Sequence, residues 1–326
     1  FGSSCCEEGG GSALLWHSFA MFTRLLQRPL PGLVGPAQAF QGAQGQTRNA
    51  ATLKTLSIRM KAIKNMQKIT KAMKMVATAK FKKDMRTMEN SLPFASPVLN
   101  LFQRLPTEEK AGGITYVAVT SDKGLCGGVN TAVAKQVRLG LAAEEAKGNV
   151  GKIMVVGGKG VGVLKRLYGD RFSTTFEECS KVPFTFAAAS IIAERIAASK
   201  PARCKVVSNE FKSMVSYDTV AQHTYTVDEA HTMDRGEWTK AMDVYSFEPS
   251  IYEVWQDLHE FYYGCVIYGS VIQSTTTETA QRMNAMENAS KNAGEMYGKV
   301  ELQFNRARQA KITTELCEII SGASAV

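Results

Sequence analysis

Proline is missing from both ends of the portion of this chain that reads as folded. All nine prolines lie at or before residue 249, and none falls between residues 37 and 92. A proline inside a helix costs about 3 kcal/mol, because it removes an N–H and crowds the preceding turn. Residues 41–92 and 250–326 are therefore where long helices can run. In the first block Leu56, Met60, Ile63, Met66, Ile69, Met73 and Val76 recur at steps of three and four, predicting one apolar stripe on a helix over 53–92. Asn90-Ser91-Leu92-Pro93 reads as its end. In the second block Met283, Met286, Ser290, Ala293, Tyr297, Val300, Phe304 and Ala307 form a heptad seam, which requires a partner helix. The simplest partner is the first helix, paired antiparallel.

Charge separates the first helix from the rest. The chain carries a formal +9, yet no acidic residue stands between Glu8 and Asp84, and residues 21–83 hold 13 of the 39 Lys and Arg. The remaining 26 basic residues face all 30 acidic ones, so basicity belongs to one segment. A DNA-reading basic region is disfavoured. The lysines there interleave with a full apolar stripe, and arginine is sparse (Arg59, Arg86). Residues 21–28 (MFTRLLQR) are amphipathic, arginine-bearing and acid-free, as in an organellar transit peptide, so residues 1–50 are expected to be a cleaved leader.

Between the helices the pattern alternates. Strands are predicted at 114–120, 152–156, 204–210 and 215–227, with helices at 129–147, 161–168 and 186–199. Such alternation gives a mostly parallel sheet with helices on both faces. The expected domains are 1–50, 51–110, 111–245 and 246–326. No apolar run reaches eighteen residues, so no transmembrane helix is expected. Seven cysteines, mostly far apart and without a C-x-x-C pair, and four histidines without H-x-x-x-H exclude a zinc ribbon and a zincin site.

Two loops carry possible chemistry. Gly157-Gly158-Lys159-Gly160-Val161-Gly162 follows a strand and opens a helix, where a dinucleotide phosphate would sit, but it lacks the G-x-G-x-x-G spacing and is not a Walker A motif. Cys126 lies among glycines at a helix N-terminus. A nucleophilic role would need His223, His231 or His259 as base, and none has a recognisable setting. His259 reads as a surface or packing residue.

Three stretches taken together resemble one family. Residues 58–77 (IRMKAIKNMQKITKAMKMVA), 121–130 (SDKGLCGGVN), and 282–293 (RMNAMENASKNA) with 305–313 (NRARQAKIT) and 318–323 (EIISGA) are similar to the two terminal helices and the glycine–cysteine loop of F-type ATP synthase gamma subunits. The resemblance spans residues 51–326, and the leader points to the mitochondrial type. It implies an α/β, Rossmann-like domain inserted between two long helices that form an antiparallel coiled coil. It implies a non-catalytic central-stalk rotor with no cofactor and no metal, coupling proton-driven rotation of the c ring to the alpha/beta hexamer at the matrix side of the inner membrane. Further partners would be the delta and epsilon stalk subunits. By similarity Lys68, Lys71, Lys74, Met75 and Lys80 would face the beta subunits. Arg308 and Gln309 would hydrogen-bond surrounding loops, and Ile312, Leu316, Ile319 and Ile320 would turn in an apolar collar. The alternative is an NAD(P)-dependent oxidoreductase with a helical dimerisation arm. Three departures stand out. The dithiol insertion of the chloroplast type is missing, so redox gating is not expected; residues 225–244 align less readily; and residues 261–274 (FYYGCVIYGSVIQS) are unusually aromatic and glycine-containing for this region.

Overall fold

The computed structural model describes residues 53–105, 112–179, 183–226, 240, 242–248 and 251–325. Leu53–Val326 is one compact unit; Phe1–Thr52, which contains the expected leader, lies outside the described residues, as do His231 and the end of the expected strand at 215–227. Helix α1 (Leu53–Phe102) and helix α5 (Ile251–Ser324) bracket a five-stranded sheet. At 1.5 Å per residue they are about 75 and 110 Å long.

The two helices run antiparallel. Lys74 meets Glu287, Thr276 reaches the Asp84 carbonyl, Ser91 meets Tyr268 and Phe102 stacks on Tyr262, so the partner number falls as the α1 number rises. The α5 seam is the expected one: Met283, Met286, Ala293 and Val300 are buried, and Ser290, Tyr297, Phe304 and Ala307 are half-buried. On α1 the outcome differs from the apolar stripe. The face turned inward is Leu56, Met60, Ile63, Gln67, Thr70, Lys74, Ala77, Phe81, Asp84 and Met88, a strict alternation of four and three. Met66, Ile69, Met73 and Val76 face solvent. A heptad contact with α5 fixes the inward face geometrically, and past Ile63 that geometry selects Gln67 where the hydrophobic pattern favoured Met66.

α1 also continues ten residues past the expected stop, with Pro93 and Pro97 inside it. Both prolines sit on the exposed side, while Ala95, Leu101 and Phe102 are buried and Phe102 lies 3.8 Å from the Tyr262 ring. Burying each large side chain contributes about 1.5–3 kcal/mol, enough to offset a proline penalty near 3 kcal/mol.

The sheet comprises β1 (Ile114–Val119), β2 (Gly151–Val156), β3 (Phe172–Phe176), β4 (Arg203–Phe211) and β5 (Tyr217–Thr224), in the order β3-β2-β1-β4-β5. All pairs are parallel except β4–β5, an antiparallel hairpin. β1, buried along its whole length, lies at the centre, as its unbroken apolar run requires. β3 was not foreseen; it is a five-residue edge strand, half exposed, paired through an irregular register. Helices α2 (Val129–Ala146) and α3 (Gly158–Tyr168) pack on one face through Val133, Val137, Leu141 and Leu164. Helix α4 (Phe186–Ala198), the end of α1 and the first turns of α5 cover the other face, burying Ile192, Ile196, Phe102, Tyr262 and Ile267.

The aromatic stretch at the start of α5 thereby acquires a role as core. Tyr262 and Tyr263 are buried, and a Cβ on Gly264 would lie 2.9 Å from the Phe186 ring, so glycine lets that ring settle on the helix. His259 is a packing residue, not a surface one. It is buried among Phe102, Trp255, Tyr262 and Tyr263, with Nε2 2.7 Å from the Tyr225 carbonyl.

Candidate functional site

Loop 121–130 joins the sheet to the long helix. Asn130 holds the loop closed: its Oδ1 accepts the Ser121 N–H at 3.0 Å and its Nδ2 donates to Ser121 Oγ at 2.8 Å and to Cys126 Sγ at 3.4 Å. Arg282 of α5 donates to the carbonyls of Lys123 and Gly124 at 3.3–3.4 Å and pairs with Glu278 one turn earlier. Burial pushes the Glu278 carboxyl up, and the Arg282 charge only partly offsets this. Cys126 is fully enclosed and its thiol is also pushed up by burial, so it is held as a thiol and not as a thiolate nucleophile. The loop clamps the domain to the shaft.

The glycine turn is filled from within. α3 begins at Gly158, three residues earlier than expected, because the β1 end satisfies its first N–H groups. Asp122 Oδ1 accepts from Gly158 at 3.1 Å, the Ser121 carbonyl from Lys159 at 3.0 Å, and Thr120 Oγ1 from Gly160 at 3.1 Å. Gly157 has φ +100°, and a side chain there would collide with the Thr120 carbonyl. A carboxylate occupies the place where a phosphate would accept these N–H groups.

The expected contact residues divide by position. Lys68, Lys71 and Met75 are exposed on the outer face of α1, beside Ile69, Met73 and Val76. Lys74 faces inward: its Nζ lies 3.1 Å from Glu287 Oε2, and this cation holds the Glu287 carboxyl below its ordinary range. Lys80 is half-buried and lines a cavity of about 320 Å³ with Asp84, Thr87 and Thr276. Its charge partly offsets the burial that raises the carboxyls of Asp84 and Glu278. Arg308, Gln309, Ile312, Leu316, Ile319 and Ile320 are all exposed, as is every residue from Arg308 to Ala325.

That last run follows from register. With Lys74 opposite Glu287, and with Leu56 and Ile63 sharing a cluster with Ala293, Val300 and Phe304, α1 is used up near residue 308. About 25 Å of α5 continues past the described part of α1. Such an end has four large apolar side chains on its surface and no partner among the described residues. The family resemblance named these residues, but only the pairing register says where the two-helix part stops. The inward turn of Lys74 was hidden in the sequence because its neighbours Met73 and Met75 are more apolar than it is.

Comparison with known proteins agrees with this arrangement. The ATP synthase family model (ATP-synt) matches residues 52–326. The mitochondrial ATP synthase subunit gamma of Drosophila melanogaster is 40% identical over 286 residues, covering 86% of this chain and 93% of that protein. The gamma subunit of the mitochondrial F(1) complex of Rattus norvegicus is 38% identical over 282 residues, covering 85% of this chain and all of that one. Among solved structures, a central stalk/c-ring chain of the Tetrahymena thermophila mitochondrial ATP synthase superposes with a TM-score of 0.53 at 28% identity, covering 68% of this chain and 99% of that one. With the family model matching residues 52–326 and relatives up to 40% identical over most of its length, the chain belongs to the ATP synthase gamma-subunit family.

Proposed function

We propose that this chain is the central-stalk rotor of a mitochondrial ATP synthase, held at the matrix side of the inner membrane, without a catalytic centre of its own. The observation that carries the reading is the asymmetric shaft: two paired helices of unequal reach among the described residues, of which one runs on past the other with Ile312, Leu316, Ile319 and Ile320 exposed. Identical catalytic sites around such a rod can differ in affinity only if the rod contacts each differently. Ile312, Leu316, Ile319 and Ile320 would bear on an apolar collar, where few fixed ion pairs hinder turning. Arg308 and Gln309 would meet the surrounding loops beyond the described start of α1. Lys68, Lys71 and Met75, already on the outer face, would meet the beta subunits through contacts worth about 0–1 kcal/mol each. Lys74 and Lys80 would act mainly inside the shaft. The sheet domain, Rossmann-like in its strand order, would stand on the c ring beside the delta and epsilon subunits. The oxidoreductase alternative has no comparison in its favour, and the filled glycine turn speaks against it.

Ending the chain after Arg308 tests this. In reconstituted vesicles the truncated assembly should hydrolyse ATP while pumping far fewer protons per ATP. Full coupling without the tip would refute the bearing role.

A further inference from the structure

The sheet face that carries α4 and α5 leaves a groove between them, about 960 Å³ in volume. Its floor is aromatic. Phe186 lies 5.4 Å from Phe94 and 5.6 Å from Phe261 in tilted and edge-on contacts, seated by the missing side chain of Gly264. Part of this apolar surface is open to solvent: Ile191 is 60% exposed and Phe261 37%. The rim has the opposite character to the chain as a whole. Glu194, Asp257 and Glu260 are exposed carboxylates, and none forms an ion pair among the described residues; one cation, Lys200, stands among them. On a chain of net +9, an acidic rim around an open aromatic floor is a local reversal of sign.

We propose that this groove is a docking site for an amphipathic helix of a separate polypeptide, with an apolar face and flanking Lys or Arg. Walls supplied by two helices, α4 and α5, and a floor of large side chains suit the helix-in-groove mode. The carboxylate rim selects a basic partner and rejects an acidic one, since like charges across an interface cost affinity. The inference deepens the rotor reading by naming the chemistry of one companion at the sheet domain.

The test uses the assembled complex, with a photo-crosslinking phenylalanine analogue in place of Ile191. The expected product is an adduct with another chain, at a peptide rich in Lys or Arg and amphipathic at helical spacing. Reversing the rim with Glu194→Lys, Asp257→Lys and Glu260→Lys should lower its yield at least tenfold, whereas Lys165→Glu and Arg166→Glu on α3 should leave it unchanged. The same rim reversal in the purified full chain should weaken binding of a synthetic Leu/Lys amphipathic helix at least tenfold; circular dichroism checks that the variants fold. An adduct with residues 227–239 of the same chain, an adduct with an acidic peptide, no polypeptide adduct, or insensitivity to rim charge would each overturn the proposal. ATP-driven rotation measured on the same complexes reports on the rotor reading separately, so the two can fail independently.

Discussion

The Arg203–Glu144 pair shows how one residue can decide the fate of the domain. Both side chains are about 95% buried, joined by Arg203 donors to both carboxylate oxygens and braced by Asn149 on Glu144 Oε2 at 3.0 Å. Burial alone would raise the Glu144 carboxyl, but hydrogen bonds from Arg203 and Asn149 and the Arg203 charge outweigh it, and the group is held below its usual value of 4.5. Its contribution is therefore present above the unfolded carboxylate range and is lost as pH falls through the lower folded value. Glu144→Ala leaves the Arg203 charge buried and unpaired, and should cost about 3–5 kcal/mol in urea unfolding at pH 7. That deficit should shrink toward acid pH. Tyr116, pushed up to about 12 mainly by burial, works with the opposite sign: stability present below pH 10 should fall as pH rises toward 12. A Tyr116→Phe variant should lose this alkaline slope. Gly157→Ala, forced into a left-handed conformation against the Thr120 carbonyl, should cost about 1–3 kcal/mol from strain alone.

Among the elements, α1 best shows what sequence could and could not tell. Its existence and start were legible from the missing prolines and the three-and-four spacing. Its inward face was legible only to Ile63, because beyond that point pairing with α5 overrides hydrophobicity and turns Gln67, Thr70 and Lys74 inward. Its end was misjudged for a related reason: Pro93 and Pro97 are tolerated because the aromatic start of α5 lies against the same turn, and that contact joins residues far apart in sequence. Pro93→Ala should then restore a backbone hydrogen bond at an exposed position and raise stability by roughly 2–3 kcal/mol, read as a higher melting temperature with unchanged helix content. The α5 seam was fully legible, since there the apolar residues and the heptad coincide. Of the contact residues, the exposed tip could be named from the sequence, while the division between Lys68 and Lys71 outside and Lys74 inside could not.

At the largest scale described, within Leu53–Val326, Arg282 ties the sheet domain to one stretch of a helix pair, and the far end of α5 is exposed among the described residues. The central claim is that this body turns as one piece inside a ring of neighbours. It is tested most directly by attaching a bead to a cysteine placed at exposed Lys165, on the far face of the sheet domain, in complexes immobilised through the catalytic ring. On adding ATP the bead should rotate continuously in one direction, and a disulfide from Met75→Cys to a neighbouring beta subunit should halt it until reduced. Sustained ATP hydrolysis with a stationary bead, or rotation that continues through that disulfide, would contradict the account.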